Sequence, residues 1–194
     1  MIAFANIKGS SADSNLKGVV YFRDVRNGVE VYVEVTGLPE YKPAQGSNPP
    51  IGPHGFHIHG IGNCEIGDPK NPFTSAGEHW NPTNQPHGNH AGDFPVLFSN
   101  NGYARMSFFT NKFKVRDIIG KAVIIHESPD DYRTQPAGAA GKRIGCGVIR
   151  SLFQTRYESN STPYYDNSYC PLDYSYFHSD YNFQDEYYDY YDNY

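Results

Sequence analysis

The chain has 194 residues and a net charge of −5, and these numbers already exclude some classes of protein. Its length allows one domain with a sizeable core plus an appendage. It contains no run of about 18 apolar residues, so no transmembrane helix is expected. The net negative charge comes from one end of the chain. Residues 1–153 carry 15 Lys and Arg against 13 Asp and Glu, whereas residues 154–194 carry 1 Lys or Arg against 8 Asp and Glu. Because residues 1–153 have no dense basic stripe, nucleic-acid binding is not expected.

The first eight residues are predicted to form a strand and not a secretion signal, because they lack a basic lead and a long apolar segment. A cytoplasmic location is therefore expected, although structural disulfides are rare in that compartment. The alternative is a spore coat or the cell surface, since a coat protein released with its mother cell needs no signal either. The three cysteines cannot all pair within the chain, so one is free, intermolecular or metal-bound.

Residues 1–153 are predicted to form many short strands, and no segment has a convincing helical period. Short runs of β-branched and aromatic residues alternate with turn formers, and the Asn27-Gly28 pair is typical of a hairpin. The predicted strands are 2–8, 17–22, 29–35, 55–58, 96–98, 103–109, 122–126 and 145–151. This pattern favours an all-β antiparallel sandwich or barrel.

Three connections are too long to be simple turns, namely 38–53, 60–94 and 127–142. Loops of this length inside a compact domain are usually functional or disordered. The second carries three of the eight histidines and follows two more, and a histidine also precedes the third. These two loops are therefore predicted to be functional.

Residues 154–194 differ from the rest of the chain. They contain 12 of the 17 tyrosines and only one aliphatic residue of the Ile, Leu and Val class. Such a composition cannot build a core, so we expect a low-complexity, disordered or conditionally ordered tail after a domain at 1–153. His178 is interpreted as a solvated residue of this tail.

Seven of the eight histidines lie between His54 and His126. Residues i and i+2 of a strand share a face, so His57 and His59 can reach one metal ion. His126 ends another apolar strand, and His79 in the long loop can supply a fourth imidazole. Four imidazoles without a thiolate suit copper or zinc, and tetragonal nitrogen geometry favours Cu(II). His54 is interpreted as a structural, hydrogen-bonding histidine.

A second ligand set follows in the same loop. His87, His90 and Asp93 are separated by two residues each. Together with a shared His79 they offer three imidazoles and one carboxylate, which suits tetrahedral Zn(II). An isolated His-x-His or His-x2-His is more often found without a metal. The joint occurrence of both patterns is what favours a two-metal site.

These residues resemble those of the copper/zinc superoxide dismutase family over about residues 2–150. The matching motifs are Gly52-Pro-His-Gly-Phe-His-Ile-His59, Thr74-Ser-Ala-Gly-Glu-His-Trp-Asn-Pro82, His90-Ala-Gly-Asp93, Val123-Ile-Ile-His-Glu127 and Gly141-Lys-Arg-Ile-Gly-Cys-Gly-Val-Ile149. The resemblance implies an eight-stranded antiparallel Greek-key β-sandwich or barrel with long metal-binding loops. One departure is the spacer between His87 and His90, which is usually longer in the family.

The resemblance also implies the ligands of each metal. It assigns copper to His57, His59, His79 and His126, and zinc to His79, His87, His90 and Asp93, with His79 as the bridge. It further implies a disulfide between Cys64 and Cys146, which leaves Cys170 as the odd thiol.

Two residues outside the ligand sets have implied roles. Asp130 looks like the aspartate that links one copper histidine to one zinc histidine, here His57 and His87. Such outer carboxylates fix the tautomer and orientation of a ligand. Arg143 looks like the active-site arginine of the family.

The activity implied by the resemblance is the conversion of two superoxide anions to dioxygen and hydrogen peroxide by copper redox cycling. Arg143 would bind the anion and His79 would deliver a proton. A homodimer is common in the family, and the tyrosine-rich tail suggests crosslinking or surface attachment. The alternative functions are a structural, coat-associated protein of the same fold, or a copper-binding module with little turnover.

Overall fold

The computed structural model describes residues 1–152, which contain eight β-strands and very little helix. The strands are β1 (Ile2–Gly9), β2 (Lys17–Val25), β3 (Gly28–Thr36), β4 (Phe56–His59), β5 (Ala104–Thr110), β6 (Ala122–His126), β7 (Arg143–Val148) and β8 (Arg150–Ser151). A 3-10 turn spans Thr74–Ala76 and the one-turn helix α1 spans Val115–Ile118. The predictions for the tail at 154–194, for Cys170 and for His178 lie outside the described residues.

The strands form one antiparallel sheet in the order β4-β6-β7-β1-β2-β3-β5, with β8 also paired to β1. The crossovers between non-consecutive neighbours agree with a Greek-key barrel, so the predicted fold class is confirmed. The predicted hairpin is β2–β3, which closes where Val25 faces Gly28. Asn27 takes the left-handed backbone conformation that this tight turn requires, with φ 68°. No helix within residues 1–152 is long and apolar enough to cross a membrane.

The core lies on the concave side of the sheet and directs where the histidines point. Phe56 and Ile58 of β4 belong to the main apolar cluster, in which the Phe56 and Phe94 rings lie 5.2 Å apart. Since side chains alternate along a strand, His57 and His59 leave β4 on the opposite face. A smaller apolar cluster, which includes Phe73 of the long loop, covers part of that second face.

Three expectations about local structure were wrong in detail. Residues 96–98 do not form a strand: only Leu97 bridges to His54, and the Val96 N–H donates to the Tyr132 hydroxyl instead. The segment predicted at 145–151 is divided into β7 and β8 at Ile149, whose N–H donates to the Lys121 carbonyl. Helix α1 was not predicted because four residues are too few to show a helical period.

Candidate metal centre

Six histidines come together on the face of β4 that points away from the main core, and all six are buried. His57 and His59 come from β4, and His126 ends β6, which pairs with β4. His79 is brought to the strand by a bridge between His59 and His79. One long loop and two neighbouring strands therefore supply the six histidines.

The side chains divide into two groups that share one histidine. In each group the candidate ligand atoms all lie within 4.8 Å of one another. The first group is His57, His59, His79 and His126, and the second is His79, His87, His90 and Asp93. These are the residues expected from the sequence for copper and for zinc.

One nitrogen of each of these histidines is buried without a hydrogen-bond partner in the structure. The unpartnered atoms are Nδ1 of His57, His87 and His90 and Nε2 of His59, His79 and His126. A buried polar atom left unpaired costs about 1–3 kcal/mol, so six of them would be a heavy penalty in a merely structural site. Lone pairs gathered in these two groups fit cations that prefer imidazole, and copper and zinc are such cations.

The opposite nitrogen of four histidines is held by a protein group outside the two ligand sets. His59 Nδ1 donates to the Gly77 carbonyl at 2.8 Å, and His126 Nδ1 donates to the Gly141 carbonyl at 3.1 Å. Nε2 of His57 and Nε2 of His87 lie 2.6 and 2.9 Å from the two oxygens of Asp130. A carbonyl or carboxylate can only accept, so each contact places the proton on that nitrogen and leaves the other as a lone pair.

Burial sets the charge state of the centre. It lowers the pKa of His57 and of His59 well below the usual range, and it lowers the pKa of His126 to about 3. The neighbouring imidazoles act in the same direction. Burial acts to raise the pKa of Asp93, but the hydrogen bond from His79 and the nearby imidazoles lower it well below its usual range. Neutral imidazoles and an ionised carboxylate are the forms that bind metals.

The short spacer between His87 and His90 still brings both side chains to Asp93. Nδ1 of His87 lies 3.3 Å from Oδ2 of Asp93, and Nδ1 of His90 lies 3.3 Å from Oδ1. Nδ1 of His79 lies 3.0 Å from the same Oδ1. The loop is tight because the N–H groups of Gly88 and His90 both donate to Asp93 Oδ2. The carboxylate therefore organises the loop and also faces the three imidazoles.

Arg143 is anchored beside the first group. Its guanidinium donates to the Phe73 carbonyl at 2.7 Å and to the Gly77 carbonyl at 2.8 Å. Gly77 thus accepts from both Arg143 and His59. Arg143 is half-buried, which lowers its pKa, and its charge in turn lowers the pKa of His59. An arginine held this way keeps unused N–H donors for an anion.

The predicted disulfide is confirmed. Cys64 and Cys146 are bonded, with their Cα atoms 5.6 Å apart. The bond ties the long loop to β7, three residues beyond Arg143. The loop that supplies the carbonyl anchors of Arg143 is thereby attached to the strand that carries it.

Three contributors to the site were not singled out from the sequence. Gly138 has a φ of +67°, and a Cβ placed there would lie 1.9 Å from Asp130 Oδ1. Gln135 pairs through its side-chain amide with the backbone N–H and carbonyl of His87. Tyr132 donates its backbone N–H to Asp130 Oδ1. Only the glycine-rich composition of the 127–142 loop could have pointed to the first of them.

Residues 16–149 match the family described as copper/zinc superoxide dismutase (SODC). The chain belongs to this family. It is 34% identical over 152 residues to the Cu-Zn superoxide dismutase of Deinococcus radiodurans, across 70% of this chain and 78% of that protein. It is 36% identical over 141 residues to that of Legionella pneumophila, across 69% and 77%. It is 39% identical over 139 residues to Cu-Zn superoxide dismutase 1 of Aquifex aeolicus, across 64% and 74%.

Family membership confirms several predictions. The enzyme is an oxidoreductase of the superoxide dismutase class, its cofactors are copper and zinc, and superoxide is its substrate. The two histidine groups are consistent with those cofactors. The alternatives of a structural protein or a copper-binding module are not favoured.

Proposed function

We propose that this dismutase divides its ligands between the two metals as follows. Copper is held by His57, His59, His79 and His126, and zinc by His79, His87, His90 and Asp93. The observation that carries the proposal is the direction of the unpartnered nitrogens. Nε2 of His79 belongs with the first group, whereas Nδ1 of the same ring lies beside Asp93 in the second.

In this assignment His79 is also the proton carrier. When bound, copper supplies the one-electron chemistry that oxidises one superoxide to dioxygen and reduces a second to peroxide. Nδ1 of His79 is kept on the Asp93 side, so Nε2 is the nitrogen of that ring that can hold a proton and release it to the product.

Arg143 is proposed to bind the anion. Two of its N–H groups are committed to the Phe73 and Gly77 carbonyls, which fixes the plane of the guanidinium. Besides burial, the positive charge of Arg143 lowers the pKa values of His59 and His126, so the guanidinium is close to the first group. A fixed cation at this point raises the local concentration of a small anion, and the effect weakens with salt.

The test combines metal content with the rate of superoxide consumption. Arg143→Ala is expected to keep both metals, because Arg143 is not a ligand, and to lose about tenfold or more in rate together with much of its salt dependence. Arg26→Ala is the matched control, since Arg26 is exposed in the β2–β3 turn. An unchanged rate in Arg143→Ala would refute the role of this residue. Full copper loading with negligible consumption by the wild type would instead favour the structural or copper-binding alternative.

The tail at 154–194 is proposed to serve crosslinking or surface attachment. Its 12 tyrosines belong to a chain whose product, hydrogen peroxide, is the oxidant that peroxidases use to couple phenols. Peroxide and a peroxidase are expected to give covalent oligomers of the full chain, and far fewer when the tail tyrosines are replaced by phenylalanine. No difference between the two proteins would remove the crosslinking role.

Location and assembly are further proposals. We propose a cytoplasmic enzyme, with a spore coat or the cell surface as the alternative, and a homodimer. Cell fractionation tests the first, and sedimentation of the metal-loaded protein at several concentrations tests the second. A monomer at all concentrations would contradict the dimer.

A further inference from the structure

We infer that Tyr132 is a positioning residue of the zinc half of the centre: it fastens the loop that carries Asp130 to the segment that follows Asp93. The inference rests on the zinc ligands proposed above. Tyr132 is not a ligand and belongs to neither ligand group. Its contacts nevertheless join the 127–142 loop, which carries Asp130, to the loop that supplies the second group.

The hydroxyl of Tyr132 is fully engaged with backbone. It accepts a hydrogen bond from the Val96 N–H at 2.8 Å and donates one to the Phe94 carbonyl at 3.1 Å. In a sheet, the backbone of an adjacent strand would pair with this N–H and this carbonyl. Here the Tyr132 hydroxyl makes both hydrogen bonds instead. Phe94 directly follows Asp93, is buried, and is itself bonded through its N–H to the Phe56 carbonyl of β4. The hydroxyl therefore attaches the 127–142 loop to a segment that is itself hydrogen-bonded to β4.

The backbone of Tyr132 acts on the carboxylate. Its N–H donates at 2.6 Å to Asp130 Oδ1, the oxygen that also accepts from His87 Nε2 at 2.9 Å. This is the local pattern in which an aspartate bonds the backbone two residues on. Tyr132 has a φ of 56°, in the left-handed region that a bulky side chain rarely adopts. The contacts at both ends of the residue hold it in that conformation.

The carbonyl of Tyr132 also contacts the zinc loop. A Cβ on Gly88 would lie only 2.4 Å from the Tyr132 oxygen, so the backbones of the two loops are packed closely there. Gly88 in turn donates to Asp93 Oδ2. Tyr132 thus contacts Asp130, which orients His87, and also the backbone of residues 94–96, which follows Asp93. Removal of the Tyr132 hydroxyl should therefore loosen both the Asp130 loop and the segment after Asp93.

The experiment compares Tyr132→Phe with Tyr103→Phe. The two tyrosines are 39% and 37% exposed, and Tyr103 makes no hydroxyl hydrogen bond to residues 1–152. Zinc affinity is measured on the full chain by competition with a chromophoric chelator. The visible spectrum of Co(II) at the zinc position reports ligand geometry. Removal of an outer partner of a metal site usually lowers affinity about 10–100-fold.

We expect Tyr132→Phe to bind zinc about tenfold more weakly, at the lower end of that range, and to change the Co(II) spectrum. Copper affinity and the unfolding midpoint of the metal-free protein should match those of Tyr103→Phe. Zinc affinity and a Co(II) spectrum equal to those of Tyr103→Phe would overturn the inference. Equal losses for both metals, with a lowered unfolding midpoint, would also overturn it, because they would show a general role in folding.

Asp93→Asn separates this inference from the proposed zinc site. It should weaken zinc binding more than Tyr132→Phe does. If Asp93→Asn leaves zinc binding intact, the proposed ligand set is wrong. If Asp93→Asn weakens it and Tyr132→Phe does not, only the role of Tyr132 is wrong.

Discussion

Gly138→Ala is the substitution that most directly tests how the carboxylate of Asp130 is held against His87. Gly138 has a φ of +67°, and its Cβ would lie 1.9 Å from Asp130 Oδ1 and 2.5 Å from His87 Nε2. The left-handed backbone alone costs a non-glycine residue about 1–2 kcal/mol. Because the methyl group and the carboxylate cannot occupy the same space, Asp130 must also withdraw from His87. A hydrogen bond to a charged group is worth about 1.5–3 kcal/mol.

The two terms predict a loss of about 2.5–5 kcal/mol in the free energy of unfolding. They also predict a fall of about 10–100-fold in zinc affinity, since Asp130 orients His87. Gly46→Ala is the control: Gly46 has a φ of +58°, but nothing lies within 4 Å of its Cβ position. It should show the backbone cost alone and normal zinc binding. Denaturant unfolding of the metal-free proteins and chelator competition measure the two effects, and equal results for the two variants would refute the reasoning.

Three further predictions concern the same centre. Asp130→Asn should lower metal retention on dialysis about 10–100-fold, because one amide cannot accept from both histidines that it faces; retention equal to wild type would contradict this. Cys146→Ser opens a loop closed across 82 residues and should cost about 4 kcal/mol in denaturant unfolding; a loss below 1 kcal/mol would refute the estimate. The metal-free protein should lose stability as the pH falls from about 6.5 towards 3, because the unfolded His126 binds a proton that the folded one, with a pKa of about 3, does not. That slope amounts to about 1.4 kcal/mol per pH unit for each such histidine, and a flat profile over this range would refute it.

The candidate metal ligands could be predicted from the sequence because three of them lie in regular strands. Alternation placed His57 and His59 on one face, and the pairing of β4 with β6 brings His126 to the same place. The second group lies within 15 residues of chain, so its proximity is local as well. The sheet pattern was visible for the same reason, since strands 2–8 and 17–22 show their apolar and turn residues locally.

The errors have a common physical origin. Residues 96–98 look like a strand because Val96 and Leu97 have the composition of one, but a ladder also needs a neighbouring backbone. The partner of the Val96 N–H is the hydroxyl of Tyr132, 36 residues further on. Composition carries no information about which group will satisfy a given N–H.

The sequence by itself determined the fold class, the two candidate sets of metal ligands and, through the resemblance of its motifs, the family. Those features depend on residue identity, spacing and alternation. Only the tertiary structure decided which nitrogen of each imidazole is left as a lone pair, that Gly77 accepts from both His59 and Arg143, and that Tyr132 and Gly138 lie against Asp130. These depend on contacts between segments far apart in the chain, whose geometry is set by packing and not by any local pattern.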